Sequence, residues 1–210
     1  IKTSLWYIWF FLFIRAIYSQ DFSNDSLLTV HDCNPPERVT IKLIEGWQKV
    51  SYSTNVLNCQ FYPSCSNFFS LAIAKRGMVR GTIIGFDRII RCNPAAVGYH
   101  LQNINSKFHY DGRLVDNLEF RKSLNEVTNS KLPIFFSVFP GLGRTFLGRK
   151  FDGFVSFTFV SILSGLSYSS FKKENEILGT ITAVIGAFFW ASDFYGTHRM
   201  IEQNNQKIDE

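Results

Sequence analysis

Two apolar runs near the C-terminus set the strongest limit on what this chain can fold into. FDGFVSFTFVSILSGLSYSSF covers residues 151–171 and carries one charge, Asp152, at its edge. ILGTITAVIGAFFWASDFYG covers residues 177–196 and carries only Asp193, again near its end. A helix rises about 1.5 Å per residue, so about 20 residues cross a hydrocarbon core of roughly 30 Å. Each run has that length, and KKENE (172–176) between them reads as a short charged turn. The pair is read as a helical hairpin that crosses a membrane twice. A buried helix pair in a soluble protein is the competing reading. Small residues recur every four positions: Ser161, Gly165 and Ser169 in the first run, and Gly179, Ala183, Ala187 and Ala191 in the second. Such stripes let two backbones approach closely in lipid, and these two are expected to face each other.

Charge around the hairpin bears on orientation. Arg144, Arg149, Lys150, Arg199 and Lys207 lie outside it, and Lys172 and Lys173 lie in its turn. That bias favours both hairpin ends in the cytoplasm. A third apolar run, LWYIWFFLFI (5–14), sits between Lys2 and Arg15. It is too short to span a bilayer comfortably. It fits the hydrophobic region of a signal peptide or an uncleaved interfacial anchor, assigned to residues 1–20. A cleaved signal would send the following segment outward, against the charge bias, so the side of the membrane stays open.

Pro140, Gly141, Gly143 and Gly148 mark a bent lead-in to the hairpin. A phosphate loop is excluded, because Arg149, Lys150 and Phe151 follow Gly148 where Lys and a hydroxyl are needed. The pattern P-G-x-G-x-x-[FY]-x-G, here Pro140, Gly141, Gly143, Phe146 and Gly148, resembles the start of two-helix membrane modules of the TM2 type. That resemblance implies a membrane module and no particular chemistry.

Residues 59–94 hold three of the four cysteines and much of the formal net charge of +5. Such a balance suits an anionic partner such as lipid headgroups, nucleic acid or an acidic protein surface, with solvated surface charge as the alternative. Three short helices are expected. The first runs over 39–53, with Ile41, Ile44, Trp47 and Val50 at helical spacing. CQFYPSC is a turn around Pro63. Ser66 caps a second helix that ends at Arg76 before Gly77. The third covers 79–91 and stops at Asn93-Pro94. On a helical wheel Arg80, Arg88 and Arg91 gather opposite Val79, Ile83, Phe86, Ile89 and Ile90, with Ile84 interrupting the basic side. Together with Arg76 they are expected to form a basic interaction face, a plain solvated face being the alternative.

Cys59, Cys65 and Cys92 do not follow C-x2-4-C zinc spacing, and no histidine lies in the stretch. A catalytic thiol would need a nearby base, and none is evident. They are read as packed structural cysteines at helix ends. No metal and no cofactor are expected. HYDGRLVDNLEFRKSLNEV (109–127) suggests a short amphipathic helix on Leu114, Leu118 and Leu124. Its Asp111, Asp116 and Glu119 are read as solvated linker charge, with a ligand set as the alternative.

One pattern goes further: C-x-[FY]-x-P-[ST]-C-S, the glycines of the second helix break, then R-x-x-R-C-N-P. It is carried by Cys59, Phe61, Pro63, Ser64, Cys65, Ser66, Phe68, Ala72, Ile73, Gly77, Arg80, Gly81, Arg88, Arg91, Cys92, Asn93 and Pro94. It resembles the YidD family, with IEGWQKVS (44–51) similar to that family's first helix. Tyr52 stands near where the family usually has proline, and AAVGYHLQN after Pro94 departs from its usual glycine-rich continuation. The resemblance implies a small membrane-associated protein that assists insertion of other proteins with a YidC-type insertase or the Sec translocon.

The expected fold is therefore all-α: a small three-helix YidD-like module plus a transmembrane helical hairpin. The expected division is 34–100 for the module, 101–131 for a polar connector, 132–197 for the hairpin and 198–210 for a polar tail. The expected function is a non-enzymatic insertion factor at the cytoplasmic (inner) membrane. Its expected partners are membrane lipids and the insertion machinery, and not nucleic acid. An envelope-structural or membrane-active protein, with the module outside, is the alternative.

Overall fold

Helix α1 (Pro35–Ser53) starts where proline is best tolerated, at its first residue. The backbone N–H of Asn34 donates to Glu37 Oε2 at 2.9 Å, which satisfies one orphan donor at that end. Ile41 is buried against Cys33 and Ile73. Trp47 and Val50 are not in that core: they are 58% and 62% exposed. Val39 and Leu43 join them on an outer apolar stripe, so the two apolar sets of α1 lie on different faces. These statements come from a computed structural model of the chain, which describes residues 33–53, 59–101, 107–116 and 132–206. The signal or anchor run 1–20, Leu118, Glu119 and Leu124, and the end of the polar tail lie outside the described residues.

The segment expected to be only a turn contains strand β1 (Phe61–Tyr62), which pairs in parallel with β2 (Leu114–Val115). Leu114 therefore lies in a strand, not in the expected amphipathic helix. It is buried with Phe61 and Ala96. Helix α2 (Cys65–Arg76) begins one residue before Ser66, with Ser64 at the cap position. Gly77 breaks the chain at φ +80° before α3 (Met78–Arg91). The two helices then cross at Gly81, where a Cβ would collide with the Ile73 backbone. A short α4 (Ala96–Leu101) follows.

The C-terminal part consists of α5 (Leu132–Phe136), α6 (Leu142–Phe146), α7 (Lys150–Lys172) and α8 (Glu176–Gln206). Helices α7 and α8 are long and apolar enough to cross a membrane. In the most apolar stretch of each, only 17% and 33% of residues are buried. Core helices of a soluble protein would be mostly covered. Here Phe154, Phe157, Ile162 and Leu166 point outward from α7, and Ile177, Ile181 and Val184 from α8. The fold is thus all-α in character, with an apolar hairpin after the first helices.

The hairpin does not close on the expected stripes. Ser161, Gly165, Ser169, Ala183 and Ala187 are exposed. The buried line on α8 is Gly179, Thr182, Gly186, Phe189 and Asp193, a spacing of three and four in alternation. A strict step of four advances about 40° around the helix each time and drifts off the contact face; alternating steps stay on it. Ser167 donates to the Gly179 carbonyl at 2.9 Å, Gly186 lies against Leu163, and the Phe159 and Phe189 rings stack at 4.7 Å. Helix α8 also continues past Gly196, the expected end of the span. Its later turns pack along α3, with Phe86 stacked on Phe189 at 4.3 Å.

Candidate functional site

Where α3 meets the base of the hairpin, five arginines and four aspartates are buried or nearly so. Arg144, from α6, is fully enclosed. Its Nε donates to Asp193 Oδ1 at 2.7 Å. Its Nη2 donates to Asp87 Oδ1 at 2.7 Å and to the Ser192 carbonyl at 2.9 Å. One guanidinium thereby joins α3 to α8. The second Asp87 oxygen accepts from Arg91 Nε at 2.9 Å and from Arg199 Nη1 at 3.3 Å. Arg199 Nη2 donates to Asp116 Oδ1 at 2.7 Å, and Arg91 pairs with the other Asp116 oxygen at 2.8 Å. Asp116, read from sequence as linker charge, is 9% exposed and lies one residue past β2.

A neighbouring pair extends the cluster. Arg149 Nε lies 2.8 Å from Asp152 Oδ2 at the start of α7. Asn93 Nδ2 donates to Asp152 Oδ1 at 2.6 Å and to the Ile90 carbonyl at 3.0 Å. Asn93 therefore both closes α3 and holds the first turn of the hairpin.

Glycines make room for this. A Cβ on Gly196 would run into the Arg144 guanidinium and the Asp87 carboxylate. Gly141 adopts φ +82°, its N–H donates to Asp193 Oδ2 at 2.9 Å, and a Cβ there would strike the Gly153 carbonyl. Gly143 is equally tight, against Ser137 and the Pro133 carbonyl. Gly148, at φ +85°, and Pro140 complete the bent lead-in without such contacts for Gly148.

The electrostatics follow from burial and pairing. Burial alone would raise the Asp87 pKa, but the charges of Arg91, Arg144 and Arg199 more than reverse this and lower it to about 2. Asp116 is driven down in the same way by Arg199, Arg91 and Arg88. Burial opposes the charge on Arg91, and Asp116 and Asp87 outweigh it, so its pKa rises. Arg88 goes the other way: burial lowers its pKa, and Asp116, at 4.0 Å, compensates only in part.

The expected basic face needs correcting on these facts. Arg80 and Arg76 are exposed. Arg88 and Arg91 share a side of α3 with Arg80 but are 0% and 6% exposed, turned into the cluster by Asp87 and Asp116. The wheel placed them correctly on one side of the helix and could not show that Asp116, just past β2, covers that side together with Asp87 of α3 itself.

The remaining motif residues sit around Arg88. Its Nη2 donates to the Pro63 carbonyl at 2.6 Å, and its guanidinium lies over the Phe68 ring at 4.0 Å and the Phe61 ring at 4.9 Å. Ser66 accepts from the Gln48 amide at 3.0 Å, which ties α2 to α1. Pro94 is exposed at the turn into α4. Cys59, Cys65 and Cys92 are spread along the sequence, yet their sulfurs all lie within 4.8 Å of one another. Asp111 is not part of either group: it pairs with Arg113 at 2.6 Å.

Sequence reasoning missed the cluster as a unit. It noted Asp152 and Asp193 only as charges at the margins of apolar runs. Ionisable residues inside such runs are themselves a signal, because they need partners.

The comparisons with known proteins fall on the first part of this architecture. Residues 36–101 match the family model YidD, described as "Putative membrane protein insertion efficiency factor". A protein of that name from Thermotoga sp. (strain RQ2) is 39% identical over 62 residues, which are 30% of this chain and 76% of that protein. One from Desulforudis audaxviator (strain MP104C) is 36% identical over 63 residues, 30% of this chain and 89% of its own length. One from Aquifex aeolicus (strain VF5) is 34% identical over 56 residues, 27% and 82% of the two chains. No solved structure matches. With identity at this level over most of the length of these relatives, and with the motif residues built into one packed unit, the chain belongs to the YidD family.

Proposed function

We propose that this protein is a non-enzymatic factor that assists insertion of proteins into the cytoplasmic membrane, beside a YidC-type insertase or the Sec translocon. The observation that carries the reading is the Asp87–Arg144–Asp193 bridge. It locks a helix of the family module to the base of a hairpin suited to a bilayer. The relatives' shared name refers to insertion efficiency in membrane proteins, which fits a module held at a membrane surface. The outer apolar stripe of α1, Val39, Leu43, Trp47 and Val50, supports the same placement. Both hairpin ends lie in the cytoplasm in this reading, where basic residues are retained. The module (34–100) is then the working part and the hairpin (132–197) its tether.

Arg76 and Arg80 become the interaction residues, because they stand exposed while Arg88 and Arg91 hold the fold. They meet anionic lipid or an acidic patch of the insertion machinery. The test replaces both by glutamate in the full chain. Insertion of a reporter membrane protein, and photo-crosslinking to the insertase from a probe at the exposed position Val79, should fall several-fold while thermal stability stays unchanged. Normal insertion and crosslinking in the variant would refute the proposal. A fusion of alkaline phosphatase or green fluorescent protein after Glu210 checks the side. Fluorescence without phosphatase activity is expected, and the reverse would favour an envelope role.

A further inference from the structure

We propose that Cys59, Cys65 and Cys92 form a three-thiolate site for one zinc(II) ion. Three separate segments supply the sulfurs: Cys59 lies two residues before β1, Cys65 is the first residue of α2 and Cys92 caps the end of α3. The Cys59 and Cys65 sulfurs are 3.1 Å apart, and no pair of the three exceeds 4.8 Å. Zinc–sulfur bonds of about 2.3 Å in a tetrahedral site place sulfurs about 3.8 Å apart. The shortest separation and the 4.8 Å limit each differ from that value by about 1 Å or less, so small side-chain rotations suffice.

Two further features favour a cation here over three idle thiols. The first is Arg88. It is fully buried, its Nε and Nη1 have no hydrogen-bond partner among the described residues, and Asp116, 4.0 Å away, balances its charge only in part, with Cys65 and Cys59 next nearest in effect. A buried cation beside sulfur is matched by an anionic thiolate group. Zinc with three thiolates and one water carries a net charge of −1, which Arg88 offsets. The three S–H protons leave to solvent as the metal enters. The second is a directed donor: the Cys65 backbone N–H points at the Cys59 sulfur at 3.2 Å, a contact that a thiolate accepts well. All three cysteines are half-buried, so an ion can enter and a fourth position faces solvent. Phe61, Ala96 and Leu114 back the site with apolar side chains, which favours the soft-ligand class.

The experiment uses the full chain in detergent, fully reduced and metal-free, titrated with cobalt(II) and then zinc(II). One equivalent of cobalt should give a thiolate-to-cobalt charge-transfer band and the visible bands of a tetrahedral site, bleached by one equivalent of zinc. Cys92→Ser should weaken zinc binding at least tenfold, and Cys33→Ser should leave it unchanged. The cobalt spectrum of the unmodified chain reports the thiolate ligands directly, so the result does not depend on a variant that folds poorly. Absence of cobalt and zinc binding by the reduced protein would overturn the proposal. So would binding of copper(I) alone, or a Cys59–Cys65 disulfide in protein prepared without oxygen.

Discussion

Arg144 is enclosed on every side, and both of its carboxylate partners are equally hidden. Removing one member of such a buried set leaves charges with neither water nor a counter-ion, which costs about 3–5 kcal/mol. Arg144→Ala should therefore lower the thermal midpoint of the detergent-solubilised chain by many degrees. The exposed Arg80→Ala should change it little. Equal midpoints for the two would show that the bridge does not hold the fold. Asp87 adds a pH dependence of definite sign. Its pKa is about 2 in the folded chain against 3.8 for the free side chain, so it takes up a proton more readily when unfolded. Its stabilising share is complete above pH about 4 and is lost as the pH falls toward 2. Near-ultraviolet circular dichroism across that window should report the loss, and Asp87→Asn should flatten the profile.

At the scale of elements, the hairpin makes a sharper claim than its sequence did. Gly186 faces Leu163, whereas Ala187 faces outward. Gly186→Leu should lower stability by roughly 1–3 kcal/mol through overpacking, and Ala187→Leu should be near neutral. Comparable losses at both positions would mean that α7 and α8 meet on another face. Helix existence was legible here because length and hydropathy are local properties. The second and third helices were legible for a similar reason, since Gly77 and Asn93-Pro94 punctuate the chain. The β1–β2 pair was not, because a two-residue strand has no periodicity and its partner lies some fifty positions away. The buried side of α3 was not legible either. A wheel shows which residues share a side, but Asp116 and Arg144 reach that side from distant segments.

For the whole molecule, the exposed apolar surface of α7 and α8 and the enclosed charge cluster make opposite demands on solvent. The first needs hydrocarbon and the second needs protein. An integral membrane protein meets both. Washing membranes with alkaline carbonate should leave the full chain in the pellet, and its release into the supernatant would refute a spanning hairpin. The cysteine trio shows the same lesson as α3 at larger range. Three thiols that no short spacing rule would group are gathered only when α2, α3 and the β1 strand close on one another.

Helix α8 is one continuous rod from Glu176 to Gln206. Its upper part is apolar, and its lower part holds α3 directly through Arg199 and Phe189 and indirectly through Asp193, whose partner Arg144 also binds Asp87. A hairpin that tilts to fit a thinner bilayer therefore cannot tilt alone. The rod acts as a lever, and the module at its foot swings through the same angle. A change in bilayer thickness that tilts the hairpin would therefore also turn the exposed surface that carries Arg76 and Arg80.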